Sequence, residues 1–486
     1  MRVSRGLLAV ALVLVWTAAA AAQVTTGTIH GTVNDATGAV LPGVKLEIVN
    51  EATGAVRITS SDAGGRYSAP LLPVGSYKVT ASIEGFQTEV RSGVVLRVGQ
   101  DAVVDMRLQV GQVTQTVEVT GEAPLVQTTE STVSYVVEES VIRELPLNGR
   151  DLSQLILLNP GVNQSQTAGS QAYNGYGKRI SISGMRGEDN TYLMDGQLIG
   201  DFRRHIPAGP SGALLGLESV QEFQVLTNSF SAQYGRALGG VFNAVSKSGT
   251  NSWHGSAYEY LRNDKLDARN FFDRQESPDD PRLPPFRRNQ FGATLGGPIR
   301  RDQTFFFVAY ESTREVLTET ESPITMDADL RRGILKANGV PTGTTVAVNP
   351  IMQPYIDQFP LPTPGGRAFG DGTAEHVYQY KQPTTEHFGQ TRVDFPSLTA
   401  SDSFFVRFMA SDSEGNSSAD WPGFEQVSSN GSWAFTLSET HIVSPAALNT
   451  VRLHFSRVFP FDTGTAPPPG PGITVVPGQS DPPEIS

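Results

Sequence analysis

Hydrophobic and polar positions alternate in distinct regimes along this chain. In the first, Val44, Leu46 and Ile48 share one face and Lys45 and Glu47 the other. Tyr77, Val79, Ala81 and Ile83 likewise alternate with Lys78, Thr80 and Ser82. Turn signals break these runs at Asp35-Ala36-Thr37-Gly38, Leu41-Pro42-Gly43, Asp62-Ala63-Gly64-Gly65 and Leu72-Pro73-Val74-Gly75. Period-two patterning over short, closely spaced runs predicts a β-sandwich over 23–108. An extended Thr/Val-rich stretch follows at 109–130.

Residues 131–250 are mixed. Val141 to Pro146 predicts a short helix or strand entering a turn. Asp151 is placed to accept hydrogen bonds from first-turn amides of a helix at Leu152–Leu158, which Asn159-Pro160-Gly161 stops. Strands are expected at Ile180–Gly184 and Asn190–Met194, the second closed by an Asp195-Gly196 turn. A charged strand from Glu218 to Val225, the turn Tyr234-Gly235-Arg236, and an apolar strand from Gly239 to Ser246 complete the unit. Glycine belongs where backbones come close.

From Asn251 the alternation lengthens to segments of about 10 residues, the length of a tilted outer-membrane strand. Phe291, Ala293 and Leu295 alternate with Gln290, Gly292 and Thr294, and Val451, Leu453 and Phe455 with Arg452, His454 and Ser456. The apolar set would face lipid and the polar set a wet lumen. Phe271-Phe272, Phe305-Phe306-Phe307 and Phe404-Phe405 are expected at the membrane interfaces. The Pro/Gly-rich run from Glu315 to Thr384 is expected to be a long loop.

Composition narrows the class. A chain of 486 residues predicts two to four domains. A net charge of -12 disfavours a nucleic-acid partner, whose phosphates need a basic surface. Cys 0 removes disulfides, thiolate metal sites and cysteine nucleophiles. Arg2 and Arg5, the apolar run Leu7–Trp16 and Ala20-Ala21-Ala22 predict a signal peptide over 1–22. No later run suits a spanning helix, so a membrane role has to come from strands. No phosphate loop, dinucleotide fingerprint, nucleophile elbow or paired-histidine zinc motif occurs, so no enzyme activity, cofactor or metal is expected.

The ordered motifs resemble a known family. G-T-V-x-D-x-x-G-A-x-L-P-G-V from Gly31 to Val44 resembles the carboxypeptidase regulatory-like domain, of transthyretin-like or carbohydrate-binding-like fold. Val117, Glu118, Val119, Thr120 and Gly121 resemble a TonB box. The runs ISGMRGEDNTYLMDG and LESVQEFQVLTNSFSAQYGRALGGVFNAVSKSGT resemble a plug domain, and PPFRRNQFGATLGGPIRRDQTFFFVAYESTRE resembles early barrel strands.

The whole is similar to TonB-dependent outer-membrane receptors with an N-terminal regulatory-like domain, including Oar-like proteins. The resemblance implies a mainly β chain: sandwich, box region over 109–130, α+β plug over 131–250, and part of an antiparallel transmembrane β-barrel over 251–486. It implies export to the outer membrane and contact with its lipid. It also implies an extracellular ligand of siderophore, oligosaccharide or peptide type, and a TonB-type periplasmic energy-coupling partner. Arg186 and Arg236, each close behind a glycine, are expected to pair with carboxylates on the barrel wall. About seven strand segments fall short of the roughly 22 of such a receptor, so the chain is expected to be a fragment or a degenerate gene product. The alternative expectation is a secreted or surface sandwich protein that binds carbohydrate or protein without transport.

Overall fold

The computed structural model describes residues 25–111, 116–120, 133–164, 178–200, 206, 215–231, 234–235, 237–268, 285–399, 401–418, 421–422, 425–444 and 447–465. The expected signal peptide, Gly121, Arg236, Phe271 and Phe272 lie outside the described residues.

The first unit has strands β1 (Gly27–Asp35), β2 (Lys45–Asn50), β3 (Val56–Ser60), β4 (Arg66–Leu72), β5 (Gly75–Ser82), β6 (Thr88–Leu96), β7 (Asp101–Val103), β8 (Met106–Leu108) and β9 (Thr116–Thr120). One sheet joins β4, β1 and β7, with β8 further along β1; the other runs β3-β2-β5-β6-β9. Ile29, Val33, Leu46, Ile48, Tyr77 and Val79 meet between them, the alternation expected. Each such aliphatic side chain contributes about 1.5–3 kcal/mol when removed from water. The buried Tyr67 hydroxyl donates to Val104 O at 2.6 Å, so the core carries no orphan there. Strand β9 pairs in parallel with β6, from Thr88↔Thr116 to Ser92↔Thr120, and forms the edge of the second sheet.

The second unit holds β10 (Val133–Val137), helix α1 (Glu139–Glu144), helix α2 (Ser153–Ile156), β11 (Val162–Gln164), β12 (Ile180–Ile182), β13 (Thr191–Met194), β14 (Gln197–Leu198), β15 (Val220–Asn228) and β16 (Val241–Ser246). Its main sheet runs β10-β15-β16-β13-β14, with β13 and β16 parallel. Ser153 N–H donates to Asp151 Oδ1 at 2.8 Å, the cap expected. The α2 helix is shorter than its apolar run, because Asn159 Nδ2 donates to Leu155 O and Ile156 O and closes the last turn. Glu218 lies in a 3-10 turn ahead of β15 rather than inside the strand. Every residue of β16 is buried, on both faces of the sheet. Gly240 shows why glycine is needed here: a Cβ would lie 2.5 Å from Ile182 Cγ2, in the core.

The third unit is an antiparallel wall: β17 (His254–Asn263), β18 (Phe286–Arg300), β19 (Thr304–Glu321), β24 (Tyr378–Phe395), β25 (Asp402–Ser418), β26 (Glu425–Ser444) and β27 (Ala447–Thr465). Sequence neighbours pair throughout, and β17 and β27 form its two edges. Most strands are longer than expected, reaching 20 residues in β26, because their ladders continue past the alternating segment toward the long loops. Connections 301–303, 396–401 and 445–446 at one end are short. Those at the other end, 264–285, 322–377 and 419–424, are mostly much longer. Within 322–377 lie β20 (Ile324–Met326), β21 (Ile334–Ala337), β22 (Val340–Thr345), helix α3 (Gln353–Ile356) and β23 (Thr373–Glu375). The expected loop from Glu315 to Thr384 is therefore partly wall and partly small paired strands.

Leu295, Leu453 and Phe455 face outward and are exposed, while Gln290, Glu311, Arg407 and Thr436 face inward and are buried. The plug occupies the space inside the wall, so inward polar residues meet protein. The aromatic triplet divides. Phe305 and Phe307 are buried on the inner face, and Phe306 packs edge-on against Trp253 at 5.5 Å. Period two cannot send three adjacent residues to one face. No helix among the described residues is long and apolar enough to cross a membrane, which says nothing of strands.

Gly240→Ala is expected to destabilise the plug by about 1–3 kcal/mol through overpacking against Ile182. Thermal unfolding of the detergent-solubilised protein, followed by protease sensitivity of the plug, measures it.

Candidate functional site at the plug–wall contact

Two clusters of charge join the plug to the wall. The first centres on Arg150, in the turn Asn148–Arg150 that precedes α2. Gly149 there has φ 74°, which leads the chain back toward the wall. Arg150 Nη2 lies 2.9 Å from Glu218 Oε1, and its Nε lies 3.8 Å from Glu311 Oε1 of β19. Its guanidinium sits 4.3 Å above the Tyr258 ring and 5.0 Å from that of Tyr260, both on β17. Tyr258 OH donates to Glu311 Oε2 at 2.6 Å, and Gln290 Nε2 donates to Glu311 Oε1 at 2.8 Å. Lys247 completes the set at 3.3 Å from Glu218 Oε2 and 2.9 Å from Glu139. Burial pushes the Glu218 carboxyl up, but Lys247 and Arg150 more than offset it, and the group lies below its ordinary value.

The second cluster has the opposite polarity. Asp195, in the turn between β13 and β14, points its carboxylate from the plug at wall arginines. Arg407 Nη1 on β25 donates to Asp195 Oδ2 at 2.8 Å, and Arg392 Nη1 on β24 lies 3.5 Å from Oδ1. Ser246 supplies two more donors, its N–H at 3.0 Å and its Oγ at 2.6 Å. Arg407 is fully buried; its Nη2 also donates to Gln197 Oε1 at 3.0 Å, Thr436 Oγ1 at 3.2 Å and Met194 O at 3.3 Å. Gln197 Nε2 reaches Phe455 O on β27 at 3.2 Å, so one turn of the plug bonds to four wall strands. Burial raises the Asp195 carboxyl, while Arg407, Arg392 and Ser246 lower it further, leaving it below its usual 3.8.

Sequence reasoning foresaw arginine–carboxylate pairs between plug and wall but placed them at other residues. Arg186 lies on an exposed turn and makes no ion pair with the described wall strands. Arg236 lies outside the described residues. The missed residues carried a signal: Arg407 interrupts the inward series Phe405–Met409, and Glu311 sits inward among aromatics. Val117, Glu118, Val119 and Thr120 lie in β9, on the sandwich edge. Asp402, Glu439 and His441 also converge, their ligand atoms all within 4.8 Å of one another. That group is partly exposed and bonded internally, with His441 Nδ1 2.5 Å from Asp402 Oδ1.

Asp195→Asn is expected to cost about 3–5 kcal/mol, because it leaves Arg407 buried without its counter-charge. The denaturant midpoint for plug release from the wall reads this, with Arg186→Ala expected to change it by less than about 0.5 kcal/mol. The Asp195 contribution is present above pH 3.8 and is lost only as pH falls through the lower folded-state value. Acid rather than alkali is therefore expected to loosen this contact, read by plug proteolysis against pH.

Comparison with known proteins agrees with this anatomy. The carboxypeptidase regulatory-like domain matches residues 28–109, the TonB-dependent receptor plug domain 126–241, and an outer membrane beta barrel domain 245–485. The TonB-dependent transporter Oar of Myxococcus xanthus is 29% identical over 278 residues, 55% of this chain and 25% of its own length. The ferrienterobactin receptor of Escherichia coli is 33% identical over 131 residues, 25% of this chain and 17% of its own. The outer membrane transporter YddB from Escherichia coli is 14% identical, covering 64% of this chain and 37% of its own, with a TM-score of 0.42. The chain thus spans about a quarter or less of the length of the curated relatives it matches. With its regulatory-like sandwich, its plug and its outer-membrane wall in that order, the chain belongs to the TonB-dependent receptors of the outer membrane.

Proposed function

We propose that this chain carries the gate of an energy-coupled outer-membrane transporter. The observation that supports this reading is the plug itself: a folded sheet inside an antiparallel wall, bound by charged contacts. Such contacts gain Coulomb energy when dry but readmit water readily, so the plug can shift without breaking a continuous apolar core. A bulky solute of siderophore, oligosaccharide or peptide class enters from the end with the long loops, and the ferrienterobactin receptor among the relatives favours the siderophore class. The solute leaves at the end with the short turns, where the sandwich lies.

The work comes from a TonB-type periplasmic protein, since the chain has no nucleotide-binding motif; the reading gives this chain no catalytic step. Val117 to Gly121 is the segment that partner grips. Strand β9 is an edge strand, and an edge offers main-chain donors and acceptors to an added strand. Adjacent amides of a strand point to opposite edges. Glu118→Pro and Val119→Pro therefore each remove a donor from a different edge. At least one is expected to abolish capture by the purified periplasmic domain of a TonB-type protein. Undiminished capture by both variants overturns the assignment.

A further inference from the structure

The sandwich does not hang free of the plug. Its β6–β7 connection reaches the plug sheet, where Val98 N–H donates to Glu222 Oε1 of β15. Val98 is fully buried and packs with Val74 of the sandwich against Val245 and Val136 of the plug. Arg97 pairs with Glu138, just ahead of α1. Gly99 has φ 66°, and a Cβ there would lie 2.8 Å from Gln224 Oε1, so this loop is shaped for the approach.

The sandwich also touches the short-turn end of the wall. Asn251 N–H donates to Ala52 O at 2.9 Å, and Arg452 Nη2 donates to Thr25 Oγ1 at 3.2 Å. Asp302, in the β18–β19 turn, lies against Gly54. Between the three units is a cavity of about 550 Å³ whose lining includes Tyr77 of the sandwich, Gln221 and Lys247 of the plug, and Arg392 and Phe405 of the wall. The sandwich roofs it.

We infer that the sandwich is a reversible lid over the inner mouth of the plug and wall, latched by Val98 on Glu222, and that it must lift for solute to leave. Only the last clause rests on the transport reading above. The latch is small. Four valines, one ion pair and a few hydrogen bonds make an interface of the transient kind found between domains.

Glu222 makes the latch sensitive to pH. Burial pushes its carboxyl from 4.5 up to about 7, against the Val98 hydrogen bond and Arg97, while Glu138 adds to the rise. Arg97 from the sandwich and Glu138 from the plug are the charged groups that face it among the described residues. Once the lid lifts, water reaches the carboxylate and the group returns toward its ordinary value. The docked state therefore binds the proton more tightly. Docking is strongest below pH 4.5 and weakens as pH rises through about 7.

Hydrogen exchange at the Val98 amide, measured on the whole chain in detergent and corrected for intrinsic rate, tests this. Between about pH 6 and about pH 8 the wild-type protection factor is expected to fall about tenfold, and the Glu222→Gln profile to stay flat. Val98→Asp is expected to abolish docking, while amides of the sandwich core, such as that of Val79, stay protected and report that the domain remains folded. A flat wild-type profile, or an equal fall in Glu222→Gln, overturns the lid. Failure of the unmodified chain to be captured by the TonB-type domain, in the separate assay above, would overturn the transport reading and leave this result standing.

Discussion

The buried contact between Asp195 and Arg407 is the interaction on which the arrangement of plug and wall depends. A fully buried guanidinium costs several kcal/mol to dehydrate. Arg407 recovers that cost only because one plug turn offers it a carboxylate, an amide oxygen and a main-chain carbonyl. The turn can do this only when β13 and β14 are at the correct depth. Through the parallel pairing of β13 with β16, that depth positions the whole plug sheet.

The two clusters have opposite senses. At Arg150 the plug supplies the cation and Glu311 the wall's anion, whereas at Asp195 the plug supplies the anion and Arg407 the wall's cation. A plug rotated within the wall would bring like charges together, which costs several kcal/mol. Polarity thus selects one orientation, while apolar contact across the interface stays limited to residues such as Phe388 and Met409 against the plug core. A contact of this kind specifies position strongly and resists hydration weakly.

The sandwich has a different balance. Its own core is a continuous set of aliphatic and aromatic side chains, closed between two sheets. Its hold on the plug is two loop tips, carrying Val74 and Val98. Strand β9 is paired to β6 at the edge of this domain, so any lifting of the inferred lid carries β9 along. The strand proposed as the handle for the energy-coupling partner is thereby part of the domain that roofs the inner mouth.

Period-two patterning was enough to read the sandwich, the wall and the inward or outward sense of positions such as Phe291 and Leu453, because alternation is a local property of extended chain. The Asp151 cap and the stop after α2 were legible for the same reason, since each rests on neighbours within a few residues. Ionic partners are separated by up to about two hundred residues in Arg407 and Asp195, and no local pattern encodes such a pairing. The extra length of the wall strands was hidden because it depends on partners across the ladder. The inward turn of Phe305 and Phe307 follows from parity, but its meaning depends on what fills the space inside. Sequence alone determined the class of each unit and their order along the chain. Only the tertiary structure decided which charges meet, because burial turns an ordinary surface charge into one that must find its counter-charge.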